Sequence, residues 1–384
     1  MHECPWLTPG SPAELAEALV TAANAKQRIT LGGQFTKRLM AGPTAPADVT
    51  ISTSSLTRIL KYEPRDLTVS VEAGTPFAEV SRVLAANNQM IPLDPPWAET
   101  ATVGGVIATN GSGPRRRLYG TARDMVIGLQ FATLEGKLVQ SGGMVVKNVA
   151  GLDMGKLMIG SFGTLAAIAV VNFKVAPKPE VEQTSLLQFE TAAQAIAARD
   201  RILQSVLQPA AVDLLNPLAA APMNLRGYIL AIQYGGNEQV VNRYAREFDG
   251  AQQLQGAEEQ RFWKQIQNGS QRFTEKFAEG AVVRISAPIQ GLAAVLAALE
   301  VPVVARAATG VSYAYFSRAE SAAKWMAGKI GKQWPCVMEF SPESEKTKLD
   351  LWPSPGSDFA MMKKVKQLFD PQNLLNHGRL YRLI

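Results

Sequence analysis

The first apolar periodicity is helical. Ser11-Pro12-Ala13-Glu14 has capping-box spacing with Pro at the first helical position, and Leu15, Ala18, Leu19 and Ala22 recur on one face. Residues 28–31 then run into Gly32-Gly33, residues 48–52 form a second short strand, and residues 67–73 alternate as a third before the Gly74-Thr75-Pro76 turn. Thr75 is placed to cap the next helix, whose apolar stripe is Phe77, Val80 and Leu84. Two strands flank the Glu135-Gly136 turn between residues 125 and 140, and the long apolar run 164–175 is expected as a buried strand. Pro177 and Pro179 close this unit, because Pro cannot extend a strand ladder and restricts the residue before it.

The pattern then changes. Residues 182–189, 192–206, 211–215, 228–234 and 238–248 read as strand, helix, strand, strand and helix. The same kinds of element recur in 281–286, 290–299, 301–305, 311–316, 319–330 and 336–340. Such a repeat is a ferredoxin-like order occurring twice. It predicts an antiparallel sheet of about eight strands with helices on one face, its halves joined by a helical stretch around 260–277. The fold class is α+β.

At 384 residues the chain is long enough for two domains. No apolar stretch approaches the roughly 18–20 residues that cross hydrocarbon. The start carries His2 and Glu3 where a secretory signal would be basic, so a cytoplasmic location is expected, with any peripheral association at the inner face of the membrane made through partner subunits. Cys4 and Cys336 are too few for a disulfide framework or an iron–sulfur cluster, so electrons leaving the chain need an acceptor elsewhere. The formal charge is +6, but basic residues are scattered except for Arg115-Arg116-Arg117, and no nucleic-acid partner is expected. That run fits a pyrophosphate, a carboxylate, an acidic partner surface or a solvated loop.

Neither a Gly-x-Gly-x-x-Gly helix opening nor a phosphate-loop Gly-Lys signature is present, which weighs against kinases, ATPases and nicotinamide enzymes. Three glycine-rich loops remain: residues 32–36, 102–111 and 160–164. Glycines let backbone amides approach phosphate oxygens, and three such loops beside small hydroxyl residues suit a diphosphate cofactor.

The segments ATVGGVIATN (101–110), KNVAGLD (147–153), LMIGSFGTL (157–165) and FDPQNLLNHGR (369–379) resemble, in order and spacing, the motifs of FAD enzymes of the vanillyl-alcohol-oxidase or PCMH type. Within that family, ProLeuAspProPro at 92–96 and GlyProArgArg at 113–116 look most like FAD-binding subunits of glycolate oxidases. The resemblance implies a PCMH-type FAD-binding domain of two small α/β subdomains over residues 1–178. A cap or substrate domain follows over 179–345, and a C-terminal segment, 346–384, returns to the FAD site.

It also implies site residues. The loop Gly32–Lys37, with Gly32, Gly33, Gln34, Phe35 and Thr36, and the loop Thr102–Asn110, with Thr102, Val103, Gly104, Gly105, Ala108, Thr109 and Asn110, would hold the pyrophosphate, by backbone amides more than by side chains. Gly160, Gly163 and Ile168 would line the ribose and adenine, and Asn148, Gly151, Asn376 and Arg379 would lie nearer the flavin ring. Arg379 would stabilise the charge that develops as flavin accepts hydride, and His377 is a candidate base. Leu152 and His377 depart from the family's usual Tyr and Pro.

With His2 and His377 as the only histidines, neither a His-rich metal centre nor a His-linked flavin is expected, so FAD should be non-covalent and no metal site is assigned. The implied activity is oxidation of glycolate, a small 2-hydroxy acid, to glyoxylate. Arg115, Arg116, Arg284 and Arg306 are candidates to grip its carboxylate. The implied partners are a larger homologous FAD subunit and an iron–sulfur subunit. Three other readings stand beside it: an independently active FAD dehydrogenase of another hydroxy acid or sugar alcohol, a scaffold without turnover, and a nicotinamide-dependent reductase of the same fold.

Overall fold

The computed structural model describes residues 4–43, 45–145, 153–329 and 331–384. The chain divides into two compact units: Met1–Ser112 with Gly120–Lys178 and Ser354–Ile384, and Gly113–Tyr119 with Pro179–Pro353.

Among the described residues the first unit holds a two-stranded antiparallel pair, Gln89–Met90 with Ala176–Pro177, and two small sheets. One is parallel, in the order Trp6–Leu7, Val49–Ser52, Ile29–Gly32; the other is antiparallel, in the order Ile59–Glu63, Thr68–Glu72, Ala167–Lys174, Val126–Ala132, Leu138–Gly142. The strand from the long apolar run is buried along all but its last residue, as a central strand covered on both faces must be. Helix Pro12–Asn24 starts as its sequence dictates, with the Ser11 hydroxyl accepting from Glu14 N. Its stripe of Leu15, Leu19 and Ala22 enters one core with Ile29, Val49 and Ile51 of the first sheet and Ala132, Ala167 and Ala169 of the second. Leu374 and Leu375 belong to that core too, so the last residues pack against the first sheet, Leu375 bridging in parallel to Ile29.

Two local expectations are corrected. Thr75 does not cap the second helix. That helix is Phe77–Ala85 with Pro76 at its cap and no side-chain cap bond. Its first amides are instead satisfied across the chain, Phe77 N donating to Ala101 O at 2.9 Å and Ala78 N to Ala98 O at 3.0 Å. Residues 102–110 are not an open loop: Val103–Ala108 is a short helix capped by Thr102, whose hydroxyl accepts from Gly105 N. Gly104 permits this packing, since a Cβ there would lie 2.8 Å from the Ala73 Cβ.

The second unit is an eight-stranded antiparallel sheet ordered Gln252–Gln255, Val181–Phe189, Tyr228–Gly236, Ala211–Leu215, Val303–Arg306, Val311–Phe316, Ala281–Ser286, Cys336–Phe340. Each half contributes four strands in the spatial order fourth, first, third, second, which is the ferredoxin-like arrangement. The halves meet where Ala211–Leu215 pairs with Val303–Arg306. Helices Ala192–Gln204, Glu238–Glu247, Leu292–Ala297 and Ala319–Ala327 pack on one face, over Val212, Leu214, Val283, Ile285, Val303, Ala305 and Ala314, whereas the joining helix Gly256–Gln267 lies on the other, Trp263 Nε1 donating to Thr184 Oγ1 at 2.7 Å. By strand alternation Asp213, Arg284, Arg306 and Tyr313 point to the other face.

Candidate functional site

In the first unit the three glycine segments and the C-terminal turn converge. A Cβ on Gly33 would stand 2.2 Å from Thr102 Oγ1, so the loop after Ile29–Gly32 rests directly on the cap of helix Val103–Ala108. Gly160 N donates to Ile107 O at 3.1 Å and Phe162 N to Ala108 O at 2.8 Å, tying the third segment to the second. Asn376 closes the ring. Its side-chain oxygen accepts from Leu31 N at 2.8 Å, and its amide donates to Leu31 O at 3.0 Å and Phe162 O at 2.9 Å. A Cβ on Gly163, where φ is +68°, would lie 2.8 Å from that amide nitrogen.

Each of these segments carries a non-glycine residue in the left-handed region, and two of those residues, Phe35 and Phe162, are strained there. Phe35 (φ 51°), Asn110 (φ 50°), Phe162 (φ 55°) and Asn376 (φ 45°) adopt the left-handed region. Asn tolerates it, whereas a bulky Phe does not without surroundings that enforce it. Such strain clusters where a backbone is held for a ligand.

Of the remaining expected residues, Gln34 is exposed, Phe35 and Thr36 are half-buried, and Val103 and Ile168 are buried in the core. Thr109 turns its hydroxyl back to Gly105 O at 2.8 Å and so ends its helix. Arg379 donates to Arg38 O at 3.1 Å and Lys37 O at 3.3 Å, with its guanidinium 5.7 Å from the Phe162 ring centre. His377 has its Nδ1 buried without a hydrogen-bond partner among the described residues; burial and the nearby Lys366 charge lower its pKa, which favours the neutral ring. Asn148 and Gly151 lie outside the described residues.

Two buried lysines stand at the site: Lys37, at the end of the loop expected at the pyrophosphate, and Lys366, which the sequence motifs do not single out. Lys37 directly follows the first glycine segment, is only 7% exposed, and its Nζ has no hydrogen-bond partner among the described residues. Burial lowers its pKa to about 8. Lys366 is buried on the final helix, Phe359–Phe369, and donates to Asp370 Oδ2 at 2.7 Å, Thr164 O at 2.8 Å and Leu375 O at 3.1 Å. Asp370 in turn accepts from Leu374 N and Leu375 N at 2.9 and 2.8 Å. The four-residue spacing of Lys366 and Asp370 on a helix is a sequence signal for this pair. Burial of Lys37 carries none.

These features fit a dinucleotide. Backbone segments meet at close-approach glycines under strain, and a buried ammonium lacks its anion.

In the second unit three of the four candidate arginines are brought together. Arg306 forms a buried ion pair with its cross-strand neighbour Asp213 and lies 5.5 Å from the Tyr313 ring centre. Arg284 is 3.8 Å from Glu339, and Arg116, Arg284 and Arg306 all act on the Glu339 carboxyl, whose pKa is raised by burial and opposed by these three cations. Burial likewise raises Tyr313 and Tyr315. Arg115 instead faces Glu182, at 3.9 Å.

The profile of FAD binding domains matches residues 6–142, and that of the C-terminal domain of FAD linked oxidases matches residues 354–380. The chain is 31% identical over 275 residues to glycolate oxidase subunit GlcE of Escherichia coli (strain K12), covering 71% of this chain and 73% of that protein. It is 29% identical over 212 residues to glycolate oxidase subunit GlcD of Bacillus subtilis (strain 168), covering 55% of this chain and 45% of GlcD. An alkyldihydroxyacetonephosphate synthase structure shares the fold with a TM-score of 0.74 at 16% identity, over 97% of this chain and 76% of that one. Among the described residues no helix is long and apolar enough to cross a membrane, and no cluster of three or more His, Cys, Asp or Glu could hold a metal ion.

Proposed function

Because the chain belongs to the PCMH-type FAD-linked oxidase family that includes the glycolate oxidase subunit GlcE, we propose that it is the smaller FAD-binding subunit of a complex that oxidises glycolate to glyoxylate. FAD is its cofactor and its class is an oxidoreductase acting on CH–OH groups. The convergence of residues 32–36, 102–110 and 160–164 under the clasp of Asn376 carries this reading.

When bound, FAD supplies the acceptor for a hydride from the carbinol carbon. The chain's own contribution is to hold it. The glycine segments would present backbone amides to the diphosphate. Asn376 fixes the spacing of the strand end at Leu31 and the turn at Phe162 rather than spending its amide on a ligand. Arg379, anchored to the carbonyls of Lys37 and Arg38, would bring positive charge toward the flavin ring. The neutral ring of His377 can accept a proton, although its lowered pKa makes it a weak base.

Only two histidines occur in the chain, and no metal-assisted base can be assembled from them. The proposal is therefore a division of labour. A larger homologous FAD subunit oxidises glycolate, this subunit binds its own FAD, and an iron–sulfur subunit carries the electrons away. The chain purified alone should show a flavin spectrum, release FAD on denaturation, and turn over glycolate negligibly with an artificial electron acceptor. Brisk turnover by the lone chain overturns the division of labour.

A second reading, an independently active dehydrogenase of another 2-hydroxy acid, is favoured by the Arg116, Arg284 and Arg306 group beside Tyr313, which suits a carboxylate. Bleaching of the flavin absorbance by such a substrate in the isolated chain would select it.

A further inference from the structure

We propose that the Lys37 ammonium is the counter-ion of the FAD diphosphate, a side-chain contact added to the backbone cradle; this rests on the reading of the first unit as an FAD site. The geometry leads there in three steps.

Lys37 follows Gly32-Gly33-Gln34-Phe35-Thr36, the segment whose Gly33 touches the cap residue Thr102. It is 7% exposed, and its Nζ has no hydrogen-bond partner among the described residues. The backbone at this point is held in place: Met40 N donates to Lys37 O at 3.0 Å, and the Arg379 guanidinium donates to the same carbonyl at 3.3 Å.

An ammonium taken out of water without an anion is strongly unfavourable, and a protein normally avoids it by exposure, by pairing or by neutralisation. Lys37 is buried, and among the described residues it has no ionic or hydrogen-bond partner. Neutralisation is only partial, because a pKa lowered to about 8 still leaves the group protonated at pH 7.

The missing partner is then an anion brought from outside. In oxidised FAD the phosphates are the ionised groups, whereas the isoalloxazine is neutral. A resting-state counter-charge for Lys37 is therefore the diphosphate.

The test uses the full chain stripped of FAD, as wild type, Lys37→Met and Lys37→Arg. Three quantities are measured: FAD affinity by fluorescence titration, displacement of FAD by ADP, which carries the diphosphate without flavin, and the melting temperature of each apoprotein. Loss of one charge-assisted contact should weaken both FAD and ADP about ten- to hundredfold in Lys37→Met, with Lys37→Arg recovering most of the loss. The Lys37→Met apoprotein should melt at or above the wild-type temperature, since it no longer buries a lone cation.

FAD and ADP affinities within threefold of wild type overturn the proposal. FAD weakened with ADP unchanged also overturns it, by moving the charge to the flavin end. A Lys37→Met apoprotein that melts well below wild type overturns it too, since the ammonium would then have a partner within the protein. Failure of the wild-type chain to take up FAD would instead refute the flavoprotein reading itself.

Discussion

Asn376 joins three backbone groups that no regular element pairs, and it does so from a left-handed conformation that Asn tolerates. Asn376→Ala would leave Leu31 N, Leu31 O and Phe162 O without these partners. The expected cost is on the order of 3 kcal/mol, read as a lowered urea midpoint. FAD affinity should fall with it, because the first and third glycine segments would no longer be held together. Lys37 makes a prediction of opposite sign. Its pKa is lowered from 10.5 to about 8 in the folded apoprotein, so between those values the unfolded chain binds more protons than the folded one, and apoprotein stability should rise with pH through that window. The rise is on the order of 3 kcal/mol, taking roughly 1.4 kcal/mol per pKa unit. Denaturant titrations of wild type against Lys37→Met between pH 7 and 10.5 check it. The rise should be absent from the variant, and equal slopes in both proteins would rule it out. The family resemblance singled out Asn376 as lying nearer the flavin ring, and its side chain is engaged by the protein's own backbone at Leu31 and Phe162.

At the scale of elements, the final helix, Phe359–Phe369, is a strut for the site rather than a tail. Lys366 and Asp370 form a buried pair that holds Thr164 O of the third glycine segment together with Leu374 and Leu375 of the C-terminal segment. Burial lowers the Lys366 pKa and the Asp370 charge opposes that shift, so the pair is stable only as a unit. Lys366→Met or Asp370→Asn alone should each cost about 3–5 kcal/mol, since each leaves one buried partner uncompensated. The double variant should cost less than the sum, a coupling measurable by denaturation in a double-mutant cycle. The opening helix is a smaller case: Ser11→Ala removes its cap and should cost about 1 kcal/mol. That cap was legible because its partners lie within three residues. Thr75 carried the same local signal and does not cap, because Ala98 and Ala101, more than 20 residues away, supply the carbonyls first. Residues 102–110 read as a glycine loop for a related reason. Intrinsic propensity disfavours helix at Gly104-Gly105, and only packing against Ala73 offsets it.

At the scale of the whole molecule, the two units should respond unequally to cofactor. FAD stabilises only what it binds, so adding it should slow amide exchange at residues 32–37, 102–110, 160–164 and 374–379, while the buried strands of the eight-stranded sheet change little. Protection confined to that sheet would contradict the placement of the site. The sequence by itself determined the α+β class, the eight-stranded sheet with its twofold element order, and the three glycine-rich segments, because each is written in periodicity or in residues a few positions apart. Only the tertiary structure decided which distant groups meet. Segment Gly113–Tyr119 packs with the second unit although its chain neighbours belong to the first. Arg116, Arg284 and Arg306 gather around Glu339 while Arg115 faces Glu182, and Lys37 is buried without a hydrogen-bond partner among the described residues. Burial and long-range pairing follow from how sheets and loops pack in space, and no local pattern of side chains encodes them.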